Sequence, residues 1–126
     1  MPNDIRTPLA RKVIGCAIDV HRALGPGLLE SAYDPCFAYR LAECGIAFKR
    51  QPSVPVTYNT VKLDCGYRAD FVIEDSLLVE LKAIEKVLPI HRAQVLTYLK
   101  LLQIKQGLLI NFNVTKLVDG LESFLL

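Results

Sequence analysis

Two acidic residues and a lysine lie around a predicted turn, and their types and spacing are those of a hydrolytic site. Asp70 is followed ten residues later by Glu80 and then by Lys82. If Glu74-Asp75-Ser76 forms a three-residue loop, Asp70 lies opposite Glu80 on the neighbouring strand. Side chains alternate along a strand, so Asp70, Glu80 and Lys82 then share one face. The sequence therefore predicts two carboxylates and a cation at one end of a hairpin.

The apolar residues of this hairpin favour the three-residue loop. A two-residue loop would send Asp70 and Glu80 to opposite faces of the hairpin. With three residues in the loop, the face away from the carboxylates becomes wholly apolar. The residues predicted to share that face are Tyr67, Ala69, Phe71, Ile73, Leu77, Val79 and Leu81.

Two neighbouring carboxylates repel, and one of them keeps its proton unless a cation lies between them. Hard oxygen ligands with open positions suit Mg²⁺ or Mn²⁺, which keeps waters and accepts a substrate phosphate. Lys82 beside that ion could orient or deprotonate a water, so the pattern indicates phosphoryl hydrolysis. The alternative is a pair of exposed cross-strand ion pairs, Asp70 with Lys82 and Arg68 with Glu80, which are common on sheet surfaces.

The helix predicted after the hairpin carries polar side chains on one stripe. His91, Gln94 and Tyr98 follow one another at spacings of three and four. The order of motifs resembles the PD-(D/E)xK nuclease superfamily, particularly its RecB-type exonuclease branch: an Asp is followed by Glu-x-Lys and then by a helix with Gln-x-x-x-Tyr. The resemblance implies that Asp70, Glu80 and the Leu81 carbonyl bind Mg²⁺ and that Lys82 serves the water. It also implies that Gln94 and Tyr98 contact substrate or catalytic groups.

A second resemblance covers nearly the whole chain. The segment 27–33, Gly-Leu-Leu-Glu-Ser-Ala-Tyr, is similar to the signature of the small bacterial GxxExxY proteins, as are segments 67–70, 79–83 and 108–112. This resemblance implies an αβββαβ core and makes Glu30 a further acidic metal ligand. Taken by itself, a glutamate such as Glu30 in the first turn of a helix is more often a capping or solvated charge.

Hydrophobic periodicity and turn residues predict the order α-α-β-β-β-α-β-α. We expect a restriction-endonuclease-like α/β fold with a mixed central sheet flanked by helices, an extra N-terminal helix and a C-terminal helix. Residues 1–126 are expected to form one nuclease-like domain. The predicted helices span 8–24, 28–44, 89–102 and 117–126, and the predicted strands span 47–58, 61–73, 77–83 and 107–112.

Composition narrows the function classes. Apolar residues make up 52% of the 126 residues and charged residues 22%, which excludes a disordered chain. The net charge of +2 argues against a histone-like binder, so a nucleic-acid partner must be met locally. No stretch is long enough to span a bilayer or resembles a secretory signal, so we expect a cytoplasmic protein.

The resulting hypothesis is a metal-dependent nuclease that acts on DNA or RNA. Two alternatives stay open: a catalytically silent nucleic-acid-binding module and a protein-interaction module on the same fold. The sequence leaves the oligomeric state open, a homodimer included.

Overall fold

The computed structural model describes residues 7–126 and contains three long helices: α1 (Pro8–Leu24), α2 (Glu30–Glu43) and α3 (Pro89–Leu102). The predicted start of α1 is confirmed, because the Thr7 hydroxyl accepts a hydrogen bond from Ala10 N at 3.2 Å. α2 begins at Glu30 and continues through Pro35. In the described part of the chain, no helix is both long and apolar enough to cross a membrane.

The strands are β1 Phe48–Arg50, β2 Val56–Tyr58, β3 Val61–Leu63, β4 Phe71–Ile73, β5 Leu77–Lys82, β6 Gln106–Asn111 and β7 Leu121–Leu125. Five of them form a mixed sheet at the centre of the structure, and β2 and β3 form a separate hairpin. The strand order in the sheet is β1-β4-β5-β6-β7, with β5 and β6 parallel and the other pairs antiparallel. α3 makes the crossover between the two parallel strands, as the predicted restriction-endonuclease-like fold requires.

The register of the β4–β5 hairpin confirms the three-residue loop. Ile73 pairs with Leu77 and Phe71 with Val79, which leaves Glu74, Asp75 and Ser76 in the turn. The two long strands predicted over 47–58 and 61–73 each divide into two short strands.

The sheet buries side chains on both faces. One face packs against α1 and α2, the other against α3. The predicted face is confirmed from Phe71 to Leu81 but is wrong for Ala69 and Tyr67. Ala69 packs in the α3 cluster, and the Tyr67 ring lies against Tyr98 with ring centroids 6.3 Å apart. The backbone bends at Asp70, so the alternation predicted for a single long strand does not continue past it.

The predicted C-terminal helix 117–126 is wrong. A short 3₁₀ helix, Leu117–Gly120, is followed by β7, which pairs antiparallel with β6. Leu121 packs on the α1–α2 side and Phe124 on the α3 side, so the segment alternates as a strand does. Its leucines also fit a helical spacing, and pairing with the edge of β6 decides between the two.

Gly120 stands at a close approach of two backbones and provides a test of this arrangement. A Cβ at Gly120 would lie 2.0 Å from the carbonyl oxygen of Asn111, whereas a Cβ at Gly15 would meet nothing within 4 Å. We expect Gly120→Ala to lower the free energy of unfolding by about 1–3 kcal/mol. The matched control Gly15→Ala, in the middle of α1, should raise it by about 0.5–1 kcal/mol. Urea unfolding measures both, and equal stability of the two variants would contradict this packing.

Candidate functional site

The Asp70 and Glu80 carboxylates take part in the hydrogen bonding between β4 and β5. The Asp70 amide donates to Glu80 Oε2 at 2.6 Å, and the Leu81 amide donates to Asp70 Oδ2 at 2.7 Å. Each acid therefore accepts a backbone hydrogen bond from the opposite strand, just beyond the last regular pair of the ladder. The structure brings the two carboxylates together, as the register predicts.

Burial governs the electrostatics of this pair. Glu80 is only 4% exposed, and desolvation together with the charge of Asp70 raises the pKa of Glu80 to about 8. Desolvation also raises the pKa of Asp70, and the hydrogen bond from Leu81 N only partly offsets this rise. Two neighbouring acids with raised pKa values resist ionising together, which favours a cation between them.

Lys82 lies at the end of β5, opposite Asn111 on β6. Its charge partly opposes the rise in the pKa of Asp70, Glu80 and Glu30, although Lys82 forms none of the ion pairs found in residues 7–126. The ammonium group is thus near the carboxylates without being bound by them.

The alternative of exposed cross-strand ion pairs is wrong. The Arg68 side chain bonds to Ser53 and to the Tyr67 carbonyl, and its nearest acid is Asp64 at 3.6 Å. Glu80 is buried and accepts its hydrogen bond from the Asp70 backbone.

The three polar side chains predicted to share one stripe of α3 lie in two different surroundings. Gln94 Nε2 donates to the Tyr98 hydroxyl at 3.4 Å, and burial followed by the charge of Glu80 raises the pKa of Tyr98. The phenol therefore lies within electrostatic range of the acids. His91 instead accepts a hydrogen bond from Leu88 N at 2.9 Å and closes the first turn of α3.

Glu30 is the first residue of α2 and is half-buried. Burial, followed by the charge of Asp70, raises the pKa of Glu30, so its carboxylate is an electrostatic neighbour of the pair. The Tyr33 hydroxyl donates to the Gly25 carbonyl and accepts from Leu28 N at 3.3 Å, while its ring stacks on Phe112. Tyr33 thereby fixes the loop that leads into α2 and presents Glu30.

Two residues of this region, Asp34 and Arg50, were not predicted from the sequence. Asp34 is 8% exposed and pairs with Arg50 of β1, whose Nε lies 2.8 Å from Asp34 Oδ1. The charge of Asp34 raises the pKa of both Asp70 and Glu30. Asp34 lies four residues after Glu30, a spacing that could have indicated one shared helix face. No sequence pattern singles out Arg50.

A cleft of about 320 Å³ opens beside the carboxylate pair. Its donor chemistry fits a hard divalent ion, because several acidic residues line it. In residues 7–126, however, no three His, Cys, Asp or Glu side chains form a ready metal-binding group, so waters would complete the coordination. The cleft is lined by Glu30, Ser31, Asp34, Pro35, Arg50, Gln51 and Asp70.

The raised pKa of Glu80 predicts how the stability of the metal-free protein depends on pH. In the unfolded chain Glu80 has the ordinary glutamate pKa of 4.5, whereas its pKa in the folded protein is about 8, so ionisation favours unfolding between these values. We expect the Glu80 contribution to stability to be fully present below pH 4.5 and lost as pH rises to about 8.

Thermal melts in EDTA measure this effect. Glu80→Gln, which cannot ionise, should flatten the fall in stability over this pH range by an amount on the order of a few kcal/mol. Glu43→Gln, on the exposed end of α2, is the matched control and should follow the wild type. Parallel pH profiles of melting temperature for wild type and Glu80→Gln would contradict the assignment.

Comparison with known proteins gives a family and no individual relative. The sequence profile of the PD-(D/E)XK nuclease superfamily matches residues 7–123. No curated protein and no solved structure matches the chain significantly. The match spans nearly all of the described residues, including the hairpin with Asp70, Glu80 and Lys82. The chain belongs to the PD-(D/E)XK nuclease superfamily.

Proposed function

We propose that this protein is a divalent-metal-dependent nuclease that hydrolyses phosphodiester bonds of DNA or RNA. The observation that carries the proposal is the pair of neighbouring carboxylates, the buried Glu80 and the partly buried Asp70, with a nearby lysine that no acid of the described chain binds. Nucleases of this superfamily generally depend on divalent metals. The GxxExxY group and the RecB-type branch are our finer assignment, with residues 1–126 as one nuclease-like domain. A cytoplasmic location stays a prediction.

Asp70, Glu80 and the Leu81 carbonyl would hold Mg²⁺ or Mn²⁺, with Glu30 reaching it through water. Bound there, the ion supplies an activated water and stabilises negative charge on the phosphate. The hydrogen bonds from Asp70 N and Leu81 N hold the two carboxylates in place before the ion arrives, so little ordering remains to be done on binding.

Lys82 acts on the water and on the developing charge. Because no acid in residues 7–126 pairs with its ammonium group, Lys82 is able to donate to a phosphate oxygen or to orient the attacking water. Tyr98 and Gln94 form a hydrogen-bonded pair on the α3 side of the acids and contact the substrate or orient these groups.

Substitution of Asp70 and Lys82 tests the proposal by separating metal binding from hydrolysis. Asp70→Asn keeps an acceptor for Leu81 N but removes the charge, so Mn²⁺ should no longer raise the melting temperature and cleavage should fall below detection. Lys82→Met should keep the Mn²⁺ effect on melting but slow cleavage about 10²–10⁴-fold. Thermal melts with and without Mn²⁺, beside cleavage of mixed DNA and RNA substrates, measure both.

The matched control is Asp75→Asn, in the exposed turn at the other end of the same hairpin, which should behave as the wild type. A wild type that neither cleaves nor gains stability from Mn²⁺ would reject the enzymatic function. Stabilisation by Mn²⁺ and nucleic-acid binding without cleavage would instead favour the silent binding module.

Glu30→Gln tests the contribution through water. Because Glu30 acts on the ion indirectly, its loss should weaken Mn²⁺ binding about 10-fold to 100-fold without abolishing it. Isothermal titration with Mn²⁺ measures the change against the wild type and Glu43→Gln, a substitution of the same type at the other end of α2. An affinity equal to that of the wild type would make Glu30 a capping charge only.

A further inference from the structure

We propose that Arg50, held in place by Asp34, forms a phosphate-binding subsite that receives a phosphodiester of the nucleic-acid strand beside the Asp70–Glu80 pair. This inference rests on the proposed function, since it names how the same site would hold its substrate.

The Asp34–Arg50 pair orients the guanidinium. Asp34 is almost completely buried in α2, whereas the Arg50 side chain is 45% exposed. Both Nε and Nη2 of Arg50 contact the single oxygen Oδ1 of Asp34, with Nε at 2.8 Å. A guanidinium has five N–H donors, so donors remain for a second anion. Holding it on one side reduces the ordering needed to bind a phosphate on the other.

The backbone fixes Arg50 next to the carboxylates. Arg50 is paired with Phe71 in the β1–β4 ladder, and the Gln51 amide then donates to the Asp70 carbonyl at 2.9 Å. Arg50 and Asp70 are therefore carried by directly bonded segments of the sheet, and both side chains line the same cleft. The distance between them is set by the sheet and not by a flexible loop.

The positive charge of Arg50 opposes the repulsion of a phosphate by the acids that line the cleft. Glu30 and Asp70 line the cleft beside the Asp34–Arg50 pair, and a phosphodiester entering beside these two acids would be repelled. Arg50 is the cationic side chain among the described residues that line the cleft. A guanidinium fork matches two phosphate oxygens, which makes a phosphodiester the fitting ligand.

Two other basic residues, Arg92 and Lys49, are paired with acids outside this cleft. Arg92 is bound by Glu122 at 2.8 Å and lines a different cleft, with Asn111 and Asp119. Lys49, the neighbour of Arg50 in β1, pairs with Asp75 at the turn of the β4–β5 hairpin. Lys49 is thus a matched control: it has the same charge and lies in the same strand but outside the cleft.

Binding of short fluorescein-labelled single-stranded DNA and RNA oligonucleotides, followed by fluorescence anisotropy, tests the proposal. Ca²⁺ serves as the divalent ion, and gels check that the probe stays intact. We expect Arg50→Ala to raise Kd about 10-fold to 100-fold and to reduce the slope of log Kd against log salt by about one. Lys49→Ala should change Kd by no more than about twofold.

A double variant separates binding from folding. Arg50→Ala alone leaves Asp34 buried without its partner, so the single variant could lose affinity through lost structure. Arg50→Ala with Asp34→Asn removes both charges and keeps the net charge of the wild type. Once its thermal melt shows a folded protein, we expect this variant to bind the oligonucleotides as weakly as Arg50→Ala.

The outcomes separate the subsite from the nuclease activity. Three results would overturn the subsite. The double variant could bind with wild-type affinity, Arg50→Ala and Lys49→Ala could have equal Kd values, or the wild type could bind neither oligonucleotide. Arg50-dependent binding by a wild type that does not cleave in Mn²⁺ supports the subsite and rejects the nuclease. Cleavage that is unaffected in kcat and KM by Arg50→Ala, with unchanged binding, rejects the subsite and leaves the nuclease standing.

Discussion

The site depends on two hydrogen bonds between carboxylates and backbone amides, which cross between the two strands of the hairpin where the β4–β5 ladder ends. Beyond the pair Phe71–Val79, the carboxylates of Asp70 and Glu80 accept amide hydrogens from the opposite strand. The backbone amides are satisfied, so the strands can separate there without leaving unpaired buried donors. The acids are consequently part of the sheet, and their positions are as fixed as those of the strands.

This constraint carries an electrostatic cost that the neighbouring residues reduce. Burial raises the pKa of Glu80 and Asp70, and the charge of Lys82 partly opposes that rise. Arg50 neutralises Asp34, which would otherwise add an unpaired charge to the lining of the same cleft. The two cations thus have separate tasks, since Arg50 is bound by an acid and Lys82 forms no ion pair in the described part of the chain.

The sequence predicted those features that depend on local chemistry. The helix predicted over 8–24 coincides with α1, and alternation around the turn of residues 74–76 predicted the register that joins Asp70 to Glu80. Features that depend on contacts between distant segments were missed or wrong. Arg50 meets Asp34 only because β1 pairs with β4 next to α2, and the C-terminal segment becomes a strand only because β6 offers it an edge.

The central position of β5 also bears on when the site can form during synthesis of the chain. β5 carries Glu80 and Lys82, and it is paired over its whole length with β6, which ends only at Asn111. The Asn111 side chain then bonds both backbone groups of Ile84, just after Lys82. A nascent chain that still lacks residues 106–111 has all the acids of the cleft but an open sheet edge beside β5. The acids of the cleft would therefore be held by a complete sheet only after β6 had left the ribosome and paired with β5.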